Sequence, residues 1–244
     1  MLPVQDVIPS RTTPWVTLGL MAAIAVTLLV QLMLTEPSVR GLILSYGLMP
    51  AHVSASSLVT YAFLHHGILD ASVNIVALWL FGDNVEDRLG RGRYLVLLMS
   101  GAVLAGLAAV WVSQDSPGSI IGAAGATGAV IGVYLVLLPA SRILMLVPLW
   151  KSIDLIEIPA AVVVLPWVLL AGLVPAAQAS PLVSLQMVVT LQVAGLLTGA
   201  ALARLLARPE RLRCAWWNVR AAHPPVRRRT SRETSASSAS SASN

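Results

Sequence analysis

Six long apolar runs, separated by short stretches rich in charge or chain breakers, set the pattern of this chain. They are Trp15–Leu34, Leu58–Gly82, Tyr94–Val112, Ile121–Pro139, Ile158–Pro175 and Leu182–Leu206. Each is about as long as a helix needs to cross the hydrocarbon core of a bilayer. In the second run Gly67 is a breaker, so the membrane helix proper is expected to begin near Ile68. Pro159 lies near the start of the fifth run and Pro166 is a candidate kink within it. Residues 35–57 (including GLILSYGLMPAHV) hold too many breakers to cross and read as an interfacial connection. The segment 81–93, FGDNVEDRLGRGR, reads as a compact charged turn, with Glu86 and the arginines satisfying helix ends. The segment 140–157, ASRILMLVPLWKSIDLIE, reads as amphipathic and surface-lying.

Composition agrees with the pattern. Of 244 residues, 57% are hydrophobic and only 11% charged, where a soluble domain carries about a quarter. The first run lacks the basic lead and short apolar core of a cleaved signal and reads as a retained span. Six spans place both termini on one side. On that assignment 15 of the 16 Lys and Arg residues share the side of the termini, and only Arg40 lies opposite. Basic loops stay cytoplasmic, so both termini are expected there. The chain thus divides into a cytoplasmic lead (1–14), an all-α six-span membrane domain (15–208) and a basic, Ser/Ala-rich disordered tail (209–244). In the tail Trp216 and Trp217 stand among arginines, either as a foothold on anionic lipid or within a solvated basic segment. The net charge of +5 does not indicate a nucleic-acid partner, because the basic residues cluster beyond the last span. The single cysteine, Cys214, excludes an internal disulfide and fits no metal-site spacing. Neither metal nor cofactor is expected.

Polar groups inside spans are costly and suggest function. Asp70 and Asn74 lie four apart on one helical face, with His66 four before Asp70. Thr127 sits in the fourth run, and Gln186 and Gln192 in the sixth. Asp70, the Ala124 region and Gln192 belong to the outer half of the bundle. A pocket open outward would satisfy them. In the fourth run Gly122, Gly125, Gly128 and Gly132 recur every three or four residues, and Gly195 and Gly199 do so in the sixth. Such faces allow close helix approach, so these two helices are expected to pack on each other as scaffold.

Four ordered blocks resemble the rhomboid intramembrane serine proteases, over about Tyr46 to Leu206. They are YGLMP, FLHHGILDASVN with LWLFGDNVEDRLGRGRY, IGAAGATGAVIGVYLVLLP, and LQVAGLLTGAALARLL. The resemblance implies a six-helix fold whose G-A-S-G motif supplies a nucleophilic serine. It also implies a base histidine in the last span and an H-x-x-x-N pair that helps hold the oxyanion. Here Ala124 stands at the serine position, Gln192 at the histidine and Asp70 at the oxyanion histidine, while Asn74 is kept.

The departures concern chemistry. A methyl group offers no attacking oxygen. A carboxamide does not exchange a proton near neutral pH as imidazole does. A carboxylate at 70 would repel a developing oxyanion. The resemblance therefore points to a pseudoprotease, akin to the iRhoms and derlins, that binds transmembrane segments of client proteins without cleaving them. The alternative is an active serine endopeptidase with a non-standard nucleophile. Thr127 with His65 or His66 is the candidate pair, although membrane threonines usually bond their own i−4 carbonyl and both histidines read as interfacial. Asp70 itself is protonated, paired with His66 or bonded to Gln192, three options that the sequence leaves open. A solute transporter would need polar residues through both halves of the membrane, and the inner halves are apolar. Short loops suggest a bacterial inner membrane as the host.

Overall fold

The computed structural model describes residues 2–6, 10, 12–114, 118–149, 152–178 and 185–208. The tail 209–244, with Cys214 and the Trp216/Trp217 foothold, lies outside the described residues, as do Arg11 and the first residues expected of the sixth span.

The chain is mostly helical. Helix α1 (Trp15–Met33) is followed by α2 (Glu36–Tyr46), opened by Pro37 at its first turn. At 11 residues α2 is about 16 Å long and does not cross a membrane. A short α3 (Ser57–Thr60) runs into a single 3₁₀ turn at Tyr61–Phe63. Then α4 (Ile68–Ala77), a π turn (Leu78–Gly82) and α5 (Asp83–Leu89) form one continuous helical run. Helix α6 (Arg91–Val112) leads to α7 (Ala124–Leu137), and α8 (Ala160–Gln178) precedes α9 (Leu185–Leu206). Among the described residues four helices are long and apolar enough to cross a membrane: α1, the run Ile68–Leu89, α6 and α9. Helix α7, at 14 residues, spans about 21 Å, short of the roughly 30 Å hydrocarbon core.

Two segments differ from the sequence reading. Residues 83–89 are not a loop. The helix continues to Leu89 and turns only at Gly90, whose φ of 78° is left-handed and open to glycine at little cost. The buried carboxylates of Glu86 and Asp87 are tolerated because each finds a distant partner. Glu86 accepts from Val16 N (3.1 Å), Thr17 N (2.9 Å) and Thr17 Oγ1 (2.8 Å), and so caps α1, whose own N-cap position is Pro14. Asp87 accepts from Thr12 Oγ1 (2.9 Å) and Arg88 Nη1 (3.0 Å). Arg93 donates to the carbonyls of Leu206 and Ala207 (3.1 Å each) and closes the end of α9. Glu86 and an arginine thus satisfy helix ends, as expected.

The second difference is a small sheet in an otherwise helical chain. Strand β2 (Arg142–Leu149) pairs antiparallel with β3 (Ser152–Pro159), and β1 (Leu2–Asp6) pairs antiparallel with the free side of β2. The segment read as a surface amphipath is therefore a hairpin, and residues 2–6 of the lead add a third strand to it. Pro148 and a run of Ile, Leu and Val favour extended chain over helix here.

Helix α7 is the buried centre. Every residue from Ala124 to Tyr134 is buried. A Cβ on Gly195 would strike Gly125 O, one on Gly199 would strike Ala129 O, and one on Gly132 would strike Leu196 O. On its other side α6 comes as close, since a Cβ on Gly101 would lie 2.5 Å from Ala129 Cβ. The matched order, Gly125 with Gly195 and Ala129 with Gly199, makes α7 and α9 parallel neighbours.

Candidate functional site

The candidate site lies where α4, the start of α7 and the middle of α9 carry polar groups. The segment before α7 is held in extended form: Leu48 and Ile120 exchange backbone hydrogen bonds (3.0 and 2.8 Å), and Gly122 N donates to Tyr61 O (3.0 Å). Tyr61 is itself fixed, because its hydroxyl donates to Ala102 O at 2.7 Å. Gly122 then turns the chain into α7 with φ 122°, and the space beside it is open except for Asp70 Oδ2, 3.9 Å from where a Cβ would stand. Tyr61 carries no signal in the sequence. The backbone demand at Gly122 was hidden within a glycine spacing that also serves packing.

Asp70 is 2% exposed, and its carboxylate is engaged. Oδ2 accepts from His66 N (3.0 Å) and pairs with His66 Nδ1 (3.2 Å), while Oδ1 accepts from Asn74 Nδ2 (3.2 Å). Asn74 Nδ2 also donates to Asp70 O (2.9 Å), and Asn74 Oδ1 accepts from Thr127 Oγ1 (2.9 Å). The result is a hydrogen-bonded line, His66–Asp70–Asn74–Thr127, that ties α4 to α7. Of the three options open for Asp70, the structure holds the pair with His66. Thr127 Oγ1 also lies 3.1 Å from Ala123 O, its own i−4 carbonyl.

His65 is buried within the protein, at 3% exposure. Its backbone exchanges hydrogen bonds with the Gln31 carboxamide of α1 (3.1 Å each way), and Nδ1 lies 3.1 Å from Phe63 O. Burial lowers its pKa from the ordinary histidine value, against the opposing charge of Asp70. Nε2 has no partner among the described residues. Neither histidine meets a hydroxyl through any hydrogen bond the structure shows.

Gln192 is 1% exposed, and neither Oε1 nor Nε2 has a hydrogen-bond partner among the described residues. It is not bonded to Asp70. Its backbone carbonyl faces Gly128, 2.7 Å from where a Cβ would be. Ala124, 4% exposed, opens α7 and presents only its methyl group. Gln186 is exposed at the start of α9 and joins none of these groups through a described side-chain bond.

Residues 52–209 match the family model described as the Rhomboid domain. One relative is the yeast (Saccharomyces cerevisiae) protein "Rhomboid protein 1, mitochondrial", 31% identical over 98 residues. That stretch covers 38% of this chain and 28% of the relative, so just over a quarter of the relative's length is spanned. The relative is mitochondrial and lends no support to a bacterial inner membrane.

Proposed function

This chain belongs to the rhomboid family, an integral multi-pass membrane protein, and we propose that it is a degenerate member that holds transmembrane segments of client proteins without cutting them. The observation that carries the reading is the pair of side chains at the two positions where the family's motifs place a serine and a histidine. Ala124 brings a methyl group, and Gln192 brings a buried carboxamide whose two polar atoms have no hydrogen-bond partner among the described residues. Amide hydrolysis needs an oxygen activated by a base within hydrogen-bond reach. Thr127, the candidate substitute hydroxyl, is spent on Asn74 and a helix carbonyl. His66 is spent on Asp70. A carboxylate beside Gly122, where the family's oxyanion-holding pair is expected, supports binding over acyl transfer, since it would oppose the charge of a tetrahedral intermediate.

A retained site without its dyad still suits capture. An unwound client segment exposes peptide N–H and C=O groups that hydrocarbon leaves unsatisfied. Gln192 offers one donor group and one acceptor to meet them. We read six spans with both termini cytoplasmic, α7 and α8 being the two beyond the four candidate spans named above. The parallel course of α7 and α9 supports that order, because α8 must then return across the bilayer between them. The boundaries 15–208 for the membrane domain and 209–244 for the tail belong to the same proposal. Short loops alone carry the further reading of a bacterial inner membrane.

The test is cleavage of a model transmembrane substrate in proteoliposomes, alongside fluorophosphonate labelling. The unmodified protein is expected to give neither turnover nor label, while crosslinkers placed at positions 70 and 192 capture helices in native membranes. Turnover by the unmodified protein would establish the alternative, an endopeptidase with a non-standard nucleophile. Ala124→Ser with Gln192→His is the matched variant, expected to gain label.

A further inference from the structure

The far end of α9, away from the candidate site, gathers arginines beyond those needed to finish the fold. Arg93 already supplies the last carbonyls of α9. Arg208 follows that end, its backbone N donating to Arg88 O at 3.2 Å. Its guanidinium lies against the left-handed Gly90: a Cβ there would stand 3.1 Å from Arg208 Cζ and Nε and 3.2 Å from Nη2. Arg88, with 3% of its side chain exposed, spends Nη1 on Asp87. Its Nη2 and Arg208 Nε have no hydrogen-bond partner among the described residues. The neighbouring carboxylates are committed elsewhere, Glu86 to the start of α1 and Asp87 to Thr12 and Arg88. Guanidinium N–H groups left without an acceptor in low dielectric call for an anion.

The surface leading to this corner is apolar. Val193 (43% exposed), Leu197 (61%) and Leu205 (76%) follow each other at multiples of four residues along α9, a single outward ridge. The ridge ends beside the exposed Arg204 and then Arg208. Charged groups at the end of an apolar track are complementary to a molecule with an anionic head and a hydrocarbon tail. We propose that Arg208 and Arg204, backed by Arg88, seat the phosphate of an anionic phospholipid whose acyl chain lies along the Val193–Leu205 ridge. Arg offers a forked donor set that fits phosphate oxygens two at a time. The seat is independent of client binding.

The test uses the full chain in mixed phosphatidylglycerol and phosphatidylcholine micelles, with retained lipid read by native mass spectrometry. Wild type is expected to keep phosphatidylglycerol in preference to phosphatidylcholine. Arg208→Gln should lower that retention about fivefold, the effect of roughly one surface arginine. Arg204→Gln should lower it as well, and its exposed position keeps the test sound if Arg208→Gln folds poorly. Arg228→Gln removes the same charge from the tail and should leave retention unchanged. Equal retention in all three variants, or no preference over phosphatidylcholine, overturns the proposal. So does release of the lipid by millimolar inorganic phosphate, which would mark a site for a free anion.

Discussion

Gln192 and Glu86 are both buried polar side chains in an apolar protein, and they behave in opposite ways. Glu86 answers three donors at the start of α1, so removing it strands them. Glu86→Ala is expected to destabilise the fold by about 2 kcal/mol, the usual range for buried donors losing an acceptor. Thermal unfolding in detergent, compared with the exposed control Glu36→Ala, measures it. Gln192 answers nothing within the described chain, and an unmet buried amide is a standing liability. Gln192→Leu is therefore expected to keep or raise the unfolding temperature while reducing crosslinking to client helices. A drop in stability instead would give Gln192 a structural partner and weaken the capture reading. The sequence exposed the identities at 70, 124 and 192, because motif spacing marks them. It offered the pair of Asp70 with His66 as one of three options, and it did not expose the burial of His65 or the role of Tyr61. Those depend on which turns meet across the bundle, and no local pattern encodes that.

At the scale of elements, small residues decide how closely α6, α7 and α9 approach. Backbone carbonyls of Gly125 and Ala129 occupy the places where side chains on Gly195 and Gly199 would go. Gly199→Val should force α9 away from α7 at a cost of about 1–3 kcal/mol, the range for overpacking a filled core. Gly19→Val on α1, where nothing lies within 4 Å, should be nearly neutral. Differential scanning fluorimetry of the two variants checks the contrast. Three- and four-residue spacing made this helix pair readable in advance. Residues 142–149 were not readable in the same way, since a short apolar run with Pro148 suits a strand, a loop or an interfacial helix, and only pairing with β1 and β3 resolves it. The stretch Asp83–Leu89 misled for a related reason. Its charges suggest solvent, yet their partners come from α1 and from the chain before it, about 70 residues earlier.

For the whole molecule the decisive quantity is the order in which helices cross the membrane. With both termini on one side, cysteines placed at Ser10 and Ser243, with Cys214 replaced by serine, should react with an impermeant maleimide from the same face. A cysteine at Ser38 should react from the other. Opposite labelling of positions 10 and 243 would require an odd number of spans. The composition of the chain made the membrane class evident, and the basic-residue asymmetry made an orientation legible. Neither could reveal the small sheet, which joins strands more than 130 residues apart in sequence.

The bonds of the Asp83–Arg93 stretch also bear on biosynthesis. The first helix leaves the ribosome with its opening amides unmet, and the carboxylate that completes it is made 69 residues later. Arg93 in turn waits for Leu206, 113 residues further on. A nascent chain halted before Glu86 would carry an unfinished α1, and one halted before Leu206 an unclosed bundle. Quality-control proteases should therefore find such fragments vulnerable until translation is nearly over.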